Sequence, residues 1–335
     1  MNELIPVQII TGFLGAGKTT LLNHILSNPQ GKKYAVIVNE FGEIGIDSNL
    51  VIGVDEEIFE LNNGCVCCNV RGDLIRILGA LFKRSGSFDA ILVETTGLAN
   101  PAPVAQTFFA DDEISRKSRL EAIITVVDAK HILQSLQEFK EAVHQIAFAD
   151  VVILNKIASV NAEELKAAKL AIQSINKGVK IIEANNSIIN FDEISSKNNF
   201  GFGKNEQGMS DALSAYFEAQ NSQPHHHHHH HHNHYDGVET LSLSTEHQLD
   251  AQRFTNYLSM IIDAYGENLL RFKGVVSLHD DERPYIVNGV HMMVDADYFG
   301  TWKAGEQKLS RLVFIGKNLP KADLEKNWEA CFVSQ

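Results

Sequence analysis

The run Gly12-Phe13-Leu14-Gly15-Ala16-Gly17-Lys18-Thr19 fits the pattern G-x-x-x-x-G-K-[ST] in full. The chemistry that such a segment serves is the holding of a polyphosphate. Glycines let the backbone turn tightly and come close to an anion. Successive amide N–H groups and the N-terminus of the following helix then face the phosphates. Lys18 is placed to reach the β- and γ-phosphates, and the Thr19 hydroxyl to bind magnesium. The candidate nucleotide contacts are therefore Gly12, Gly15, Ala16, Gly17, Lys18, Thr19 and the adjoining Thr20. A second piece is Ile91-Leu92-Val93-Glu94-Thr95-Thr96-Gly97, an apolar strand that ends in a carboxylate and then a glycine. Glu94 at a strand end suits magnesium, often through water, and the Gly97 N–H suits a γ-phosphate that leaves on hydrolysis. Lys18, Thr19 and Glu94 form the candidate catalytic group, acting by positioning and charge neutralisation. The third piece is Val152-Ile153-Leu154-Asn155-Lys156, where Asn155 and Lys156 have the form of a guanine-binding loop. An Asp usually stands two residues after the Lys to accept from guanine N1 and N2; here that place holds Ala158. Either another group supplies the acceptor or the preference for GTP over ATP is relaxed.

Three thiols, Cys65, Cys67 and Cys68, fall within four residues between the phosphate loop and Glu94. They can give three soft ligands to one ion and leave the fourth position to water or a partner, so that the ion can be handed on. A disulfide between the adjacent Cys67 and Cys68 would be strained. A redox pair and a buried apolar trio are the competing readings. Cys331 lies on a helix in the other domain and reads as packing. A second metal-ligating pattern is the tract His225, His226, His227, His228, His229, His230, His231, His232 and His234. Neutral imidazoles bind zinc, nickel, copper and cobalt, and lose their lone pairs on protonation near about pH 6.5. The tract reads as metal capture or buffering; a purification tag or a low-complexity spacer is the alternative. His24, His131, His144, His247, His279 and His291 read as ordinary surface or core residues.

The elements that must carry these groups alternate. Apolar runs at 5–11, 34–38, 57–61, 90–93, 122–127, 151–154 and 179–182 predict strands, and 70–82, 133–148 and 162–174 predict helices. That alternation means crossover units and a mostly parallel sheet, an α/β phosphate-loop domain over 1–185. Residues 186–236, rich in Asn, Ser, Gly, Lys and His, predict a flexible His-rich linker with one short helix near 211–220. Residues 237–335 predict a small α+β domain of ferredoxin-like type: strand 238–244, helix 251–265, strands 270–278, around 284–294 and 311–315, and helix 321–331. The length of 335 residues fits two domains at roughly 150 each. With 44% apolar and 21% charged residues the chain has a core and is not generally disordered. A net charge of −13 argues against a general nucleic-acid coat. No apolar run reaches the 18 or so residues of a membrane helix, and the start MNELIPVQIITGF lacks the layout of a secretory signal. The crowding of three of four cysteines suits a reducing compartment, and the expected location is cytoplasmic.

The stretches GFLGAGKTTLLNHIL at 12–26, VNEFGEIGID at 38–47, GCVCC at 64–68, ETTGLANP at 94–101 and LNK at 154–156 together resemble the CobW-type family of metal-handling GTPases, relatives of the nickel-insertion GTPases UreG and HypB. LLRFKGVV at 269–276 and RLVFIGKNL at 311–319 resemble that family's C-terminal domain. The resemblance implies a GTPase that uses GTP and Mg2+. It implies that the CxCC thiols bind a divalent metal, commonly Zn2+, with Co2+ or Ni2+ as other candidates. Nucleotide state would govern transfer of the metal to a client metalloenzyme. The family's first switch falls on 38–47, where Glu43 is carried as an auxiliary metal ligand beside Glu40 and Asp47; solvated switch charges are the other reading. No nucleic-acid or membrane partner is implied, and a nucleotide-dependent homo-oligomer is compatible. Two further roles stay open: a zinc store or sensor with a slow GTPase, and a cobalt-related part in cobalamin synthesis or metalloenzyme assembly. Ala158 departs from the family pattern and leaves the base preference undecided.

Overall fold

The computed structural model describes residues 4–38, 57–60, 68–83, 88–190, 194, 237–279, 281–298, 300–302 and 308–333, with the backbone alone at 57–60 and 68–70. The chain divides into two compact units, Met1–Ile172 with Val179–Gly201, and Gln173–Gly178 with Phe202–Gln335.

The first unit is built on seven strands: β1 (Ile5–Thr11), β2 (Tyr34–Val38), β3 (Glu57–Glu60), β4 (Ala90–Glu94), β5 (Ser118–Asp128), β6 (Val151–Asn155) and β7 (Lys180–Glu183). Their order is β3-β2-β4-β1-β5-β6-β7, and every described pairing is parallel. The helices among the described residues are α1 (Lys18–Ser27), α2 (Cys68–Phe82), α3 (Ala102–Ala110), α4 (Asp112–Lys117), α5 (Ile132–Glu138), α6 (Lys140–Phe148) and α7 (Ala162–Ile175). A parallel sheet is covered on both faces, so its strands read as unbroken apolar runs. Every residue of β4 and β6 is buried. Because all strands run the same way, their carboxyl ends share one edge, where ligands of open α/β sheets bind. Thr11, Glu94, Asp128 and Asn155 end their strands there, with Ile10 opposite Glu94 and Asp128 opposite Asn155.

Three details differ from the sequence expectation. The helix expected over 133–148 is two helices, α5 and α6, broken at Phe139, whose backbone is extended with φ −131° and ψ 115°. The Phe139 ring packs against Phe13 of the phosphate loop with centroids 4.7 Å apart, a contact with no signature in helical periodicity. Helices α3 and α4 were not marked by the apolar pattern; local polar caps define them. Asn100 Oδ1 accepts from Ala102 N at 3.0 Å, and Asp111 Oδ1 accepts from the Glu113 and Ile114 amides, each at 3.0 Å. Ser187 and Ile194, placed with the linker by composition, are both fully buried; Ile194 joins the core of the first unit and Ile189 packs against it. Apolar anchors in a polar stretch escape a compositional average. The short helix expected near 211–220 lies outside the described residues.

The second unit has five strands, β8 (Val238–Thr245), β9 (Leu269–Ser277), β10 (Pro284–Val290), β11 (Met293–Tyr298) and β12 (Ser310–Lys317), with α8 (Ala251–Tyr265) and α9 (Lys321–Glu329). The order is β11-β10-β9-β12-β8 and every described pairing within these strands is antiparallel. β12 lies between β8 and β9, so β8, α8 and β9 form a split β-α-β unit, the element shared with ferredoxin-like folds. Phe254, Tyr257, Phe272, Phe314 and Trp328 fill the core between the sheet and its helices. Cys331 sits in that core as expected. Its thiol donates to Asn327 O at 3.3 Å, and burial pushes its pKa up to about 11.

Gly12 leaves β1 with φ +137°, and a Cβ there would meet the Val126 carbonyl oxygen at 2.1 Å. Gly15 has φ +70° and open space around it. Gly12→Ala is expected to lower unfolding free energy by about 2–5 kcal/mol, through backbone strain and overpacking. Gly15→Ala should cost only about 1–2 kcal/mol, the strain alone. Urea midpoints of the two variants check the contrast.

Candidate nucleotide-binding site

Gly17 caps α1 with φ 110°, and a Cβ there would lie 2.5 Å from Asn155 Nδ2 and 2.8 Å from Ser187 Oγ. Lys18 opens α1, is 9% exposed, and donates from Nζ to Phe13 O at 3.3 Å, so its side chain folds over the loop. Burial pulls the Lys18 pKa below its ordinary value, and the charge of Glu94 pulls it back up in part. Ala16 is buried, whereas Thr19 and Thr20 face outward in the first turn of the helix. The Thr19 hydroxyl donates to Glu94 Oε1 at 2.8 Å, and Glu94 is 5% exposed at the end of β4. A hydroxyl and a carboxylate converging at the mouth of a phosphate loop are the hard oxygen donors that magnesium takes. The predicted trio Lys18, Thr19 and Glu94 is thus brought together.

Beyond Glu94 the chain stays against the loop. Thr95 donates from N to Ile10 O at 2.9 Å and from Oγ1 to Thr11 Oγ1 at 2.8 Å. At Gly97 a Cβ would stand 2.5 Å from Leu14 Cδ2 and 2.8 Å from Leu14 N, so only glycine permits this approach. Gln145 of α6, 1% exposed, donates from Nε2 to Gly97 O and to Ala99 O, each at 3.1 Å. Its own carbonyl accepts from Thr125 Oγ1 at 2.7 Å. Sequence reasoning missed Gln145, because a glutamine within a helical stretch reads as a solvated position. A cavity of about 390 Å3 opens beside the loop, with Phe13, Gly15, Asp128, Phe139 and Gln145 in its lining.

The other end of the site is a set of polar clasps. Asn155 donates from Nδ2 to Ala16 O at 2.8 Å and to Ser187 Oγ at 2.9 Å, and its Oδ1 accepts from Ser187 N at 2.9 Å. Ser187 Oγ donates in turn to Gly17 O at 3.0 Å. Lys156, with φ 61°, donates from Nζ to Gly15 O and to Asp128 Oδ2, each at 2.8 Å. Ala158 N donates to Asn185 Oδ1 at 2.8 Å. Burial pushes the Asp128 pKa upward, but hydrogen bonds from Lys156, His131 and the Lys130 amide, with the Lys156 charge, hold it below the ordinary carboxylate value. Asn155 and Lys156 were expected here; Asp128, Asn185 and Ser187 were not. Their signal lay in chain position: each follows or ends a strand at the ligand-binding edge.

Of the metal candidates, Cys68 begins α2, while Cys65, Cys67, Glu43, His225, His226, His227, His228, His229, His230, His231, His232 and His234 lie outside the described residues. Among the described residues no group of three or more His, Cys, Asp or Glu is set to hold a metal ion, and no helix is long and apolar enough to cross a membrane. The isolated histidines have ordinary partners: His24 Nε2 contacts Ile189 O at 3.0 Å, and His247 stacks on Phe332.

Comparison with known proteins fits this geometry. Residues 6–183 match the nucleotide-binding domain of the CobW/HypB/UreG family, and residues 238–332 match the cobalamin synthesis protein cobW C-terminal domain. The zinc chaperone CobW of Pseudomonas aeruginosa is 34% identical over 350 residues, covering 95% of this chain and 89% of that protein. The zinc chaperone YjiA of Escherichia coli is 29% identical over 324 residues, 96% of each. The crystal structure of Zn(II)-bound YjiA superposes with a TM-score of 0.73 at 26% identity, over 99% of this chain and 100% of that one.

The Asp128 clasp has a defined acid limit. A carboxyl whose folded pKa is depressed adds stability above its unfolded value, and the gain is lost as pH falls through the folded value. Asp128→Asn should therefore be less stable than the parent from pH 8 to about 5, with the gap closing below about pH 4. Urea unfolding at stepped pH measures it; a gap unchanged at pH 3 would contradict the assignment.

Proposed function

The chain belongs to the CobW/HypB/UreG family, and from that premise we propose that it is a GTP-hydrolysing metallochaperone that carries zinc on Cys65, Cys67 and Cys68 and passes it to a client metalloprotein under nucleotide control. The observation that carries this reading is the Thr19–Glu94 hydrogen bond of 2.8 Å, which joins the phosphate loop to β4 at one edge of the sheet. The segment with the thiols begins at that same edge. β3 ends at Glu60, which pairs with Val38, and Val38 pairs with Glu94. At about 4.8 Å per strand, the exit into the thiol segment starts roughly 10 Å from Glu94. Two relatives are named zinc chaperones, and zinc is accordingly the cargo proposed here.

In this mechanism the loop amides and the N-terminus of α1 receive the β- and γ-phosphates, and Lys18 turns from Phe13 O to the incoming oxygens. Thr19 and Glu94 would hold magnesium, which would supply charge neutralisation on the phosphates. Gly97 offers its N–H to the γ-phosphate, and Gln145 holds the carbonyls of Gly97 and Ala99 so that the segment keeps its register against Leu14. Loss of the γ-phosphate frees this segment, and the change reaches α2, which Cys68 begins, and with it the thiols. His225, His226, His227, His228, His229, His230, His231, His232 and His234 collect ions at high local concentration for transfer to the thiols.

Zinc affinity of the full chain, read by competition with a chromogenic chelator, tests the coupling. A non-hydrolysable GTP analogue should weaken zinc binding about tenfold relative to GDP, and zinc should weaken the analogue by the same factor. Replacing Cys65, Cys67 and Cys68 with Ala should abolish both effects while nucleotide still binds. Equal zinc affinity in the two nucleotide states would reject the carrier reading.

A further inference from the structure

The guanine-reading carboxylate of a phosphate-loop GTPase has no counterpart at Ala158, yet the place is not bare. Asn185, which follows β7 by two residues, puts its side chain there: Oδ1 accepts the Ala158 amide hydrogen at 2.8 Å. The donor is a backbone N–H, so the atom facing it is the oxygen, and the orientation of the amide is settled. Among the described residues Nδ2 meets no acceptor and has two hydrogens to give, and Oδ1 keeps a second lone pair.

The backbone that presents Asn185 is held firmly. Asn186 and Ser187 both adopt left-handed conformations, with φ 53° and 54°. For Ser187 that costs about 1–2 kcal/mol, offset by hydrogen bonds to Asn155 Oδ1 and Gly17 O and from Asn155 Nδ2. The same Asn155 amide fastens Ala16 of the phosphate loop. Asn185 is thereby fixed relative to the phosphate loop and is exposed toward solvent.

We propose that Asn185 replaces the missing carboxylate as the base-reading residue, and that the site therefore accepts adenine as well as guanine nucleotides. The inference rests on the nucleotide reading given above. A carboxylate only accepts: it takes guanine N1–H and N2–H and repels the lone pair on adenine N1. A neutral amide both gives and takes. Its oxygen takes guanine N1–H or the adenine N6 amino group; its nitrogen gives to guanine O6 or to adenine N1. Guanine loses a charge-assisted bond, and adenine loses a repulsion. The two changes act in the same direction and close the gap between the bases.

The test measures GDP and ADP affinities of the full chain with magnesium, for the parent, Asn185→Asp and Asn185→Ala. The parent should bind the two within about tenfold of each other. Asn185→Asp keeps the acceptor for Ala158 N–H and the side-chain shape, so folding is untouched, but it should open a preference for GDP of about 100-fold, the worth of a charge-assisted hydrogen bond. Asn185→Ala should weaken both nucleotides by about three- to tenfold. A parent that already prefers GDP by 100-fold, or an Asn185→Asp variant with the parental ratio, overturns the inference and leaves the nucleotide reading standing. A parent that binds neither nucleotide overturns both.

Discussion

One buried amide organises the ligand edge of the first unit. Asn155 is 2% exposed and ties the phosphate loop at Ala16 to the loop after β7 at Ser187, from its own place at the end of β6. Without its two polar ends, the Ala16 carbonyl and the Ser187 amide would lose their partners in a site that excludes water, at about 1–3 kcal/mol each. The close approach of Gly17 to Asn155 is its geometric counterpart. A side chain at 17 would occupy the space of the Asn155 nitrogen, so loop and clasp require each other. Lys156 adds a second tie, across the outer face of the loop from Gly15 O to Asp128. The phosphate loop is held open by its neighbours, and the entropy of shaping it is lost on folding before any anion arrives.

The opposite flank is built to respond. Glu94 and Thr95 are fixed to β1 and α1, whereas Gly97 rests on Leu14, a residue 59% exposed, and its carbonyl accepts from Gln145. Among the described residues this segment has fewer strand pairings than the strand end before it, which suits a part that moves, since moving parts are drawn from the less stable end of a structure. On the proposed reading, the clasp and this segment would divide the site: one would hold the loop in place, the other would register the terminal phosphate.

The phosphate loop, Glu94, Asn155 and Lys156 were legible because each has a role that few residue types can fill and a fixed distance from a strand end. Both sheets were legible too, since buried strands announce themselves as apolar runs such as 90–93 and 151–154. The break at Phe139 was not, because helical periodicity continues through it and its cause is a ring contact across the fold with Phe13. Gln145, Asn185 and Ser187 were also invisible. They are common polar residues whose meaning comes from partners 27 to 170 positions away, as with Ala158 for Asn185 and Gly17 for Ser187. Sequence shows the residues of a recurring motif more readily than those that hold them in place.

Charge sharpens this division. The chain carries a net −13, so long-range attraction does not bring a polyphosphate to it. What the site offers acts at short range: the amides of the loop, the N-terminus of α1, and Lys18, whose ammonium is partly desolvated and, among the described residues, meets Phe13 O and the field of Glu94. A buried cation with so few partners gains more from an arriving phosphate than a hydrated lysine would, because its water was given up on folding. Glu94 would repel the same phosphate at this distance unless its charge is shared with a cation. On the proposed reading, the Thr19–Glu94 pair would make anion and divalent cation binding interdependent, and the loop would take the two together more readily than either alone.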